Sequence, residues 1–155
     1  MSLIIATGSN LGDREENLFS AQKELEKMFN LKACSRIYFS KAQDYLDQPD
    51  FLNQVLEFSL PDQTPAETMQ QLLSLELKMG RVREKKYGPR IIDLDLLFWS
   101  FQKIDTELLI VPHPKWNERS FVVRPLLELP FAQELKKIFT ISDHFSDEAF
   151  VYQKA

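Results

Sequence analysis

The sequence predicts an α+β fold, in which an antiparallel sheet is covered on one face by two helices. Three observations lead to this prediction. Four short apolar segments have the length and alternation of strands. Two longer segments carry apolar residues at helical spacing and begin with residues that cap helices. The six segments follow one another in the order β-α-β-β-α-β.

The first strand is predicted over Leu3–Ala6, a short apolar run that ends before Gly8. The first helix is predicted to begin after Asp13, because Glu16 follows three residues later in the arrangement of a capping box. One face of this helix is apolar, and it carries Leu18, Ala21, Leu25, Met28 and Phe29.

Prolines and glycines delimit the later elements. The second strand is predicted over Ala33–Phe39, and the third over Phe51–Leu60. The second helix begins at Thr64-Pro65-Ala66-Glu67, which places a threonine at the N-cap and a proline at the first helical position. It ends at Gly80, and the fourth strand is predicted over Asp93–Trp99.

This order of elements is that of the ferredoxin-like fold. We expect the residues after Ser100 to form a C-terminal appendage with a strand pair around Ile104 and Leu109. Helical segments are predicted near Glu118–Leu127 and Ala132–Ile138. A length of 155 residues suits a single domain, 1–155, with a substantial core.

Bulk composition excludes several classes of protein. The hydrophobic content of 44% and the charged content of 27% are typical of a globular protein. A net charge of −4 argues against a nucleic-acid partner. The single cysteine, Cys34, predicts a reducing compartment. No segment has the length of a signal peptide's apolar region or of a membrane span, so we expect a cytoplasmic protein without a membrane partner.

Chemistry is concentrated between Gly80 and Leu96. Residues 81–90 contain five cationic side chains and one glutamate, and they lead into the strand that carries Asp93 and Asp95. Side chains two apart on a strand share a face, so the two carboxylates repel each other unless a cation lies between them. Two Mg²⁺ ions would supply that charge and would also bind phosphate oxygens. The stretch therefore predicts a site for phosphoryl transfer.

The same stretch resembles the signature of the 6-hydroxymethyl-7,8-dihydropterin pyrophosphokinase family. The resemblance is carried by Arg81-Val82-Arg83 and by Tyr87-Gly88-Pro89-Arg90-Ile91-Ile92-Asp93-Leu94-Asp95. Further matching segments are Thr7-Gly8-Ser9-Asn10-Leu11-Gly12, Asp47-Gln48-Pro49-Asp50-Phe51-Leu52-Asn53, Val111-Pro112-His113-Pro114 and Glu118-Arg119-Ser120-Phe121-Val122. The match extends from the N-terminus to about Pro130.

The resemblance implies a transfer of pyrophosphate from MgATP to a reduced pterin in folate biosynthesis, by a monomeric enzyme. Asp93 and Asp95 would hold two Mg²⁺ ions. The implied catalytic residues are these two aspartates with Arg81, Arg83 and Arg90. The implied ATP-binding residues are Glu76, Arg81, Arg83, Tyr87, Arg90, His113 and Arg119, and the implied pterin-binding residues are Phe51, Asn53, Tyr87 and Phe121.

Two of these positions have alternative interpretations. Glu76 lies on the apolar stripe of its helix, where it could form a salt bridge with Arg81 or lie beside ATP and its metal. Phe51 could belong to the core, but Asn53 shares its strand face, and an amide beside a ring suits a pterin.

The sequence departs from the family pattern at Tyr38-Phe39-Ser40-Lys41-Ala42-Gln43, where the family usually has Tyr-x-Thr-x-Pro. Loss of the proline would make this loop more mobile and would affect pterin affinity. A catalytically silent pterin- or nucleotide-binding module is therefore one alternative. A ferredoxin-like regulatory or RNA-binding domain is another, which the acidic balance disfavours.

Overall fold

The computed structural model describes residues 1–41, 49–80 and 90–153, and it confirms the α+β class. Within these ranges the main sheet contains six antiparallel strands, which are β1 (Ser2–Ser9), β2 (Leu31–Cys34), β3 (Tyr38–Ser40), β4 (Phe51–Ser59), β5 (Asp93–Trp99) and β8 (Phe150–Val151). Strands β6 (Ile104–Asp105) and β7 (Ile110–Val111) form a separate hairpin. The helices are α1 (Arg14–Met28), α2 (Pro65–Lys78), α3 (Ser120–Leu126) and α4 (Ala132–Ile138), with a short 3-10 helix at Trp116–Glu118.

The strands of the main sheet lie in the order β5-β1-β4-β3-β8, and β2 pairs with β4 beside β3. Strand β1 is central, because it pairs with β4 along one edge and with β5 along the other. The two long helices begin as the sequence predicts. The Asp13 side chain accepts a hydrogen bond from the Glu16 backbone N–H at 3.2 Å, and the Thr64 hydroxyl accepts one from the Glu67 N–H at 3.1 Å.

Two hydrophobic cores cover the two faces of the sheet. Helices α1 and α2 contribute Leu18, Leu25 and Leu72 to the first core. Helices α3 and α4 contribute Val122, Val123, Leu126 and Leu135 to the second core, which also contains Ile4, Val55 and Phe98 of the sheet. The residues after Ser100 therefore build the second core directly against the sheet. The prediction of helices on one face only is wrong, because α3 and α4 cover the other face.

The prediction of one continuous strand over Ala33–Phe39 is wrong. The chain forms β2 and β3 there, and Ser35 lies between them. The Ser35 hydroxyl accepts a hydrogen bond from the Val55 N–H at 3.0 Å, while the Ser35 N–H donates to the Val55 carbonyl at 2.9 Å. A side-chain oxygen thus takes the place of a ladder carbonyl, which interrupts the regular pairing.

Strand β8 is not predicted from the sequence, because a two-residue strand is too short to show alternation. It pairs with β3, so that Tyr38 lies opposite Val151 and Phe39 lies opposite Phe150. Among the described residues, none of the helices is both long and apolar enough to cross a membrane.

The buried carboxylate of Glu57 joins three parts of the chain on the face of the second core. It accepts hydrogen bonds from the Ser2 hydroxyl at 2.7 Å and from the Phe131 N–H at 3.1 Å. Lys32 Nζ lies 3.5 Å from the same carboxylate and donates to the Ser2 hydroxyl at 2.8 Å. The first strand, the second strand and the start of α4 are thereby held together by one side chain.

We predict that Glu57→Ala lowers the free energy of unfolding by about 2–4 kcal/mol, because the Phe131 N–H and the Ser2 hydroxyl lose their acceptor and Lys32 loses its ion-pair partner. Urea denaturation followed by circular dichroism measures this loss. Glu134→Ala is the control, since Glu134 forms an exposed pair with Lys137 and its removal should change stability by less than about 0.5 kcal/mol. Equal stability of the two variants would contradict the anchoring role of Glu57.

Candidate active site

The strand register brings four residues into one row across the sheet. Gly8 of β1 lies opposite Asp93 of β5 on one side and opposite Asn53 of β4 on the other. Asn53 in turn lies opposite Tyr38 of β3. Residues opposite one another share a face of the sheet, so Asp93 and Asn53 point the same way across a residue without a side chain.

The neighbouring row places Asp95 on the same face, beside Ala6 and Val55. Ala6 and Val55 both contact the second core, so this is the face that α3 covers. Phe121 of α3 packs against the second core as well. The predicted metal ligands, Asn53 and Phe121 are therefore associated with one face of the sheet, as the strand alternation predicts.

Gly8 separates Asp93 from Asn53 and places no side chain between them. A methyl group on its α-carbon would lie 3.2 Å from Asn53 Oδ1 and 3.5 Å from the Phe51 ring. Asn53 is itself fixed, because its amide Nδ2 donates to the Ser40 hydroxyl at 2.7 Å. This face of the sheet thus presents the Phe51 ring and the fixed Asn53 amide beside a residue that has no side chain.

Three carboxylates gather at the start of β5. Desolvation by burial, followed by the nearby charges of Asp93 and Glu76, raises the pKa of Asp95 to about 7. The positive charges of Arg119 and Arg90 act in the opposite direction. The described residues therefore place more negative charge here than their own cations neutralise, which is the electrostatic signature of a cation site.

Glu76 connects this acidic group to α2. Its Oε2 accepts a hydrogen bond from the Leu94 N–H at 2.8 Å, and the side chain is almost fully buried. Leu94 lies between the two aspartates, so Glu76 fixes the backbone from which both of them project. This contact supports neither of the two sequence interpretations of Glu76 by itself, since Arg81 lies outside the described residues.

Arg90 is held on both its side chain and its backbone. Its Nη1 lies 3.1 Å from Asp93 Oδ2, and the two side chains are 17% and 21% exposed, so the pair is largely shielded from water. Asn10 accepts from the Arg90 N–H at 2.7 Å and donates its own N–H to the Arg90 carbonyl at 3.0 Å. The Asn10 side chain also donates to the Pro49 carbonyl at 3.0 Å.

No role is predicted for Asn10 from the sequence, although it belongs to the Gly-Ser-Asn motif. The side chain of Asn10 binds the Pro49 carbonyl and the Arg90 N–H, and it thereby joins the residue before β4 to the residues before β5. Ser40 enters the prediction only as part of a departure from the family pattern. Asn10 lies two residues from both Gly8 and Gly12, and an asparagine in such a turn-forming segment is the signal that could have drawn attention to it.

The hydrogen bonds of His113 determine which of its two ring nitrogens carries the proton. Its backbone N–H donates to the Leu97 carbonyl at 3.0 Å, and its Nδ1 accepts from the Lys115 N–H at 3.2 Å. The proton of the neutral ring is therefore on Nε2. Burial lowers the pKa of His113, and the positive charge of Arg119 lowers it further against the pull of Asp93. The ring is thus a neutral donor at pH 7.

A cavity of about 280 Å³ opens beside Asp95 and His113. Met69 of α2 and residues 106–110 of the β6–β7 hairpin complete its walls. Arg119 lies close enough to influence the charge of both Asp95 and His113, and its guanidinium stacks over the Phe121 ring at 5.7 Å. The cavity is thus lined by the acidic residues Asp95 and Glu107 and by His113, and Arg119 lies nearby.

Three predicted site residues, Arg81, Arg83 and Tyr87, lie outside the described residues, as does Lys86. The others belong to connected elements: Phe51 and Asn53 to β4, Glu76 to α2, Asp93 and Asp95 to β5, and Phe121 to α3. Arg90 precedes β5, Arg119 immediately precedes α3, and His113 is bonded to Leu97 of β5.

The donor set suits a cation with open coordination positions. In the described ranges, no group of three or more His, Cys, Asp or Glu side chains is arranged to enclose a metal ion. Asp93 and Asp95 offer two carboxylates on one strand face, which leaves other positions for water and phosphate oxygens. Mg²⁺ is bound in this manner in phosphoryl-transfer sites.

The sequence model of the family described as 7,8-dihydro-6-hydroxymethylpterin-pyrophosphokinase (HPPK) matches residues 4–130. The chain belongs to this family. It is 39% identical over 141 residues to the 2-amino-4-hydroxy-6-hydroxymethyldihydropteridine pyrophosphokinase of Bacillus subtilis (strain 168), covering 90% of this chain and 83% of the relative. The enzyme of the same name from Aquifex aeolicus (strain VF5) is 38% identical over 128 residues, covering 83% and 79%.

The family also occurs within a longer protein. The folic acid synthesis protein FOL1 of Dictyostelium discoideum is 37% identical over 125 residues, which are 81% of this chain and 19% of that protein. The HPPK match ends at Pro130, in agreement with the extent that the sequence motifs indicated. Helix α4 and strand β8 lie beyond it.

We predict that Glu76→Ala lowers the free energy of unfolding by about 1–3 kcal/mol, because the buried Leu94 N–H loses its acceptor. Glu76→Gln should retain most of this stability, since the amide oxygen can still accept the hydrogen bond from the Leu94 N–H. Thermal and urea denaturation of both variants test the prediction. A glutamine variant as unstable as the alanine variant would show that the charge of Glu76, and not its bond to Leu94, matters.

Proposed function

We propose that the protein transfers pyrophosphate from MgATP to the hydroxymethyl group of 6-hydroxymethyl-7,8-dihydropterin and releases AMP, a step of folate biosynthesis. One observation carries this proposal within the structure: Asp93 and Asn53 share a face on either side of Gly8. Two strand spacings separate their backbones by roughly 10 Å. A polyphosphate bound at the aspartate and a flat ring bound at the asparagine would therefore meet above the glycine.

The pterin subsite is built on β4. Asn53 uses one N–H on Ser40, which leaves its other N–H and its carbonyl oxygen for the donor–acceptor edge of a pterin. The Phe51 ring lies beside the amide and supplies a stacking surface, and Phe121 of α3 supplies a second one. Tyr87, which lies outside the described residues, is proposed to close this subsite.

The ATP subsite lies between β5 and the β6–β7 hairpin. The cavity beside Asp95 and His113 has room for part of a nucleotide, and its hairpin wall offers backbone groups for a base. His113 Nε2–H and the Arg119 guanidinium would donate to phosphate oxygens, since the ring has its Nδ1 occupied and Arg119 lies near Asp95. Arg90 is held in position by Asn10 and Asp93, so it would bind phosphate without a large rearrangement.

Further roles at this subsite are proposed for three residues. Glu76 would act beside the nucleotide by fixing the strand that carries the aspartates. Arg81 and Arg83, from the sequence between α2 and β5, would neutralise charge on the triphosphate, with Arg83 acting after both substrates are bound.

Asp93 and Asp95 would hold the magnesium, and we propose two ions. The repulsion among Asp93, Asp95 and Glu76 is the observation that favours this assignment. Bound Mg²⁺ would offset this repulsion and stabilise negative charge on the phosphates. The two carboxylates would thus be ionised in the loaded enzyme.

In the proposed reaction the hydroxymethyl oxygen of the pterin attacks the β-phosphorus of ATP. A new P–O bond forms, and the bond from the β-phosphorus to the oxygen of the α-phosphate breaks. AMP leaves with that electron pair, and the hydroxyl proton passes to solvent. No described side chain is required as a general base, because positioning by Asn53 and charge neutralisation by Arg90, His113 and Arg119 supply the rate.

We also propose that residues 1–155 form one domain with a ferredoxin-like topology. The order β5-β1-β4-β3 and the pairing of β2 with β4 support this topology. A monomer that works in the cytoplasm, without nucleic-acid or membrane partners, is part of the same proposal, and the net charge of −4 and the lone Cys34 support it.

We predict that Asp95→Asn lowers turnover on the order of 100-fold or more. The substitution removes a negative charge that holds the magnesium, and the magnesium in turn binds the phosphates. The free protein should be as stable as the wild type or more stable, because Asp95 is repelled by Asp93 and Glu76. AMP release from MgATP and pterin, together with thermal denaturation, measures both effects. Asp62→Asn is the control, because the Asp62 side chain is exposed, and this variant should retain full activity.

A folded Asp95→Asn protein with wild-type AMP production would refute the assignment of Asp95 to the metal. Absence of AMP production by the wild type would favour the silent binding module instead. The relatives named as pyrophosphokinases do not favour that alternative.

We predict that Gly8→Ala raises KM for the pterin by at least about fivefold and leaves KM for ATP within about twofold. The added methyl would press on Asn53 Oδ1 from 3.2 Å and displace an amide that Ser40 fixes. Steady-state kinetics with each substrate varied in turn test this difference. Thr7→Val is the matched control, because Thr7 is the adjacent residue of β1 on the opposite face. An equal rise in both KM values would place the pterin elsewhere.

A further inference from the structure

The segment 147–152 lies beyond the residues that the HPPK family matches, yet it contacts elements that carry the site. Strand β8 pairs with β3, the strand of Ser40. The Tyr152 N–H donates to the Ile37 carbonyl at 2.8 Å, and the Tyr152 hydroxyl donates to Glu15 of α1 at 2.8 Å. The segment is therefore fixed at one end against the outer edge of the sheet.

The other end of this segment is fixed at the start of α3. The hydroxyl of Ser120 donates to Asp147 Oδ2 at 3.0 Å, and Ser120 is completely buried. Helix α3 begins without a side-chain cap, since Arg119 makes no capping hydrogen bond. The first turn of α3 is therefore tied down by a residue that lies 27 positions further along the chain.

Ser120 has a particular position in the sequence. Its two neighbours are Arg119, which is proposed to bind phosphate, and Phe121, which is proposed to stack on the pterin. The guanidinium of Arg119 already lies over the Phe121 ring at 5.7 Å. A small shift of the Ser120 backbone would move both side chains together, and with them one contact to each substrate.

We infer that Asp147 is a positioning residue for pyrophosphoryl transfer, which acts through Ser120 to fix Arg119 and Phe121. The inference rests on the proposed function of the site. It extends that site to a residue 17 positions beyond Pro130, where the family match ends. Asp147 touches neither substrate in this inference, so its effect should appear in the binding of both substrates at once.

The chain contains a matched comparison to Asp147. Glu148, the next residue, also binds α3, through an ion pair of 2.6 Å with Arg124. Both side chains of that pair are more than 40% exposed, and Arg124 has no role in the site. Asp147 and Glu148 therefore fasten the same segment to the same helix, and only Asp147 adjoins residues of the site.

The experiment measures kcat and both KM values for the full chain, with AMP release as the readout. We expect Asp147→Ala to raise KM for the pterin and for ATP by about three- to tenfold each. Asp147→Asn keeps an oxygen acceptor for Ser120, so its KM values for the pterin and for ATP should stay within about twofold of those of the wild type. Ser120→Ala should resemble Asp147→Ala, and the double variant should be no worse than either single one. Glu148→Ala should have wild-type constants.

A purely structural role gives a different result. Asp147→Ala would then lower the melting temperature and the active fraction, so that kcat falls while both KM values stay constant, and this would overturn the inference. If Asp147→Ala does not fold, Asp147→Asn and Ser120→Ala decide: an unchanged Ser120→Ala overturns the inference, and raised KM values in Ser120→Ala support it. A wild type that releases no AMP overturns the proposed function itself, whereas unchanged KM values beside an active wild type overturn only the role of Asp147.

Discussion

The register of β1 is the constraint on which the rest of the site depends. This strand pairs with β4 on one side and β5 on the other, so that Gly8 lies opposite both Asn53 and Asp93. A shift of one residue in either pairing would turn the aspartates or Asn53 to the first core. The buried apolar residues of β1 prevent such a shift, since Leu3 and Ile5 belong to one core and Ile4 to the other.

Electrostatic balance among the described residues is the second constraint on the site. Three carboxylates lie near the start of β5, where Arg90 and Arg119 offset part of their charge. An arrangement of this kind costs stability without ligand and favours a bound cation. The repulsion is offset in part because Glu76 also accepts a hydrogen bond from the Leu94 N–H, which stabilises β5.

Much of the fold and of the site could be predicted from the sequence, because local rules determine it. Caps at Asp13 and Thr64 locate the helices, and alternation on β5 places Asp93 and Asp95 on one face. What could not be predicted depends on distant partners. Ser35 breaks a strand only because Val55 lies beside it, and β8 is a strand only because β3 offers an edge. Asn10, Ser40 and Asp147 have the same character, since their partners lie 13 to 80 positions away.

The Glu57 anchor has a consequence for the order in which the protein folds. Its carboxylate joins Ser2, Lys32 and Phe131, so the loop that this junction closes spans most of the sequence. Contacts of such long range form late, because the entropy of closing the loop must be overcome before they contribute. While Phe131 is still inside the ribosome, the Glu57 carboxylate of the nascent chain therefore lacks the N–H donor that it binds in the finished fold. The second core, and with it the wall that carries Arg119 and Phe121, is completed only after synthesis has passed α4.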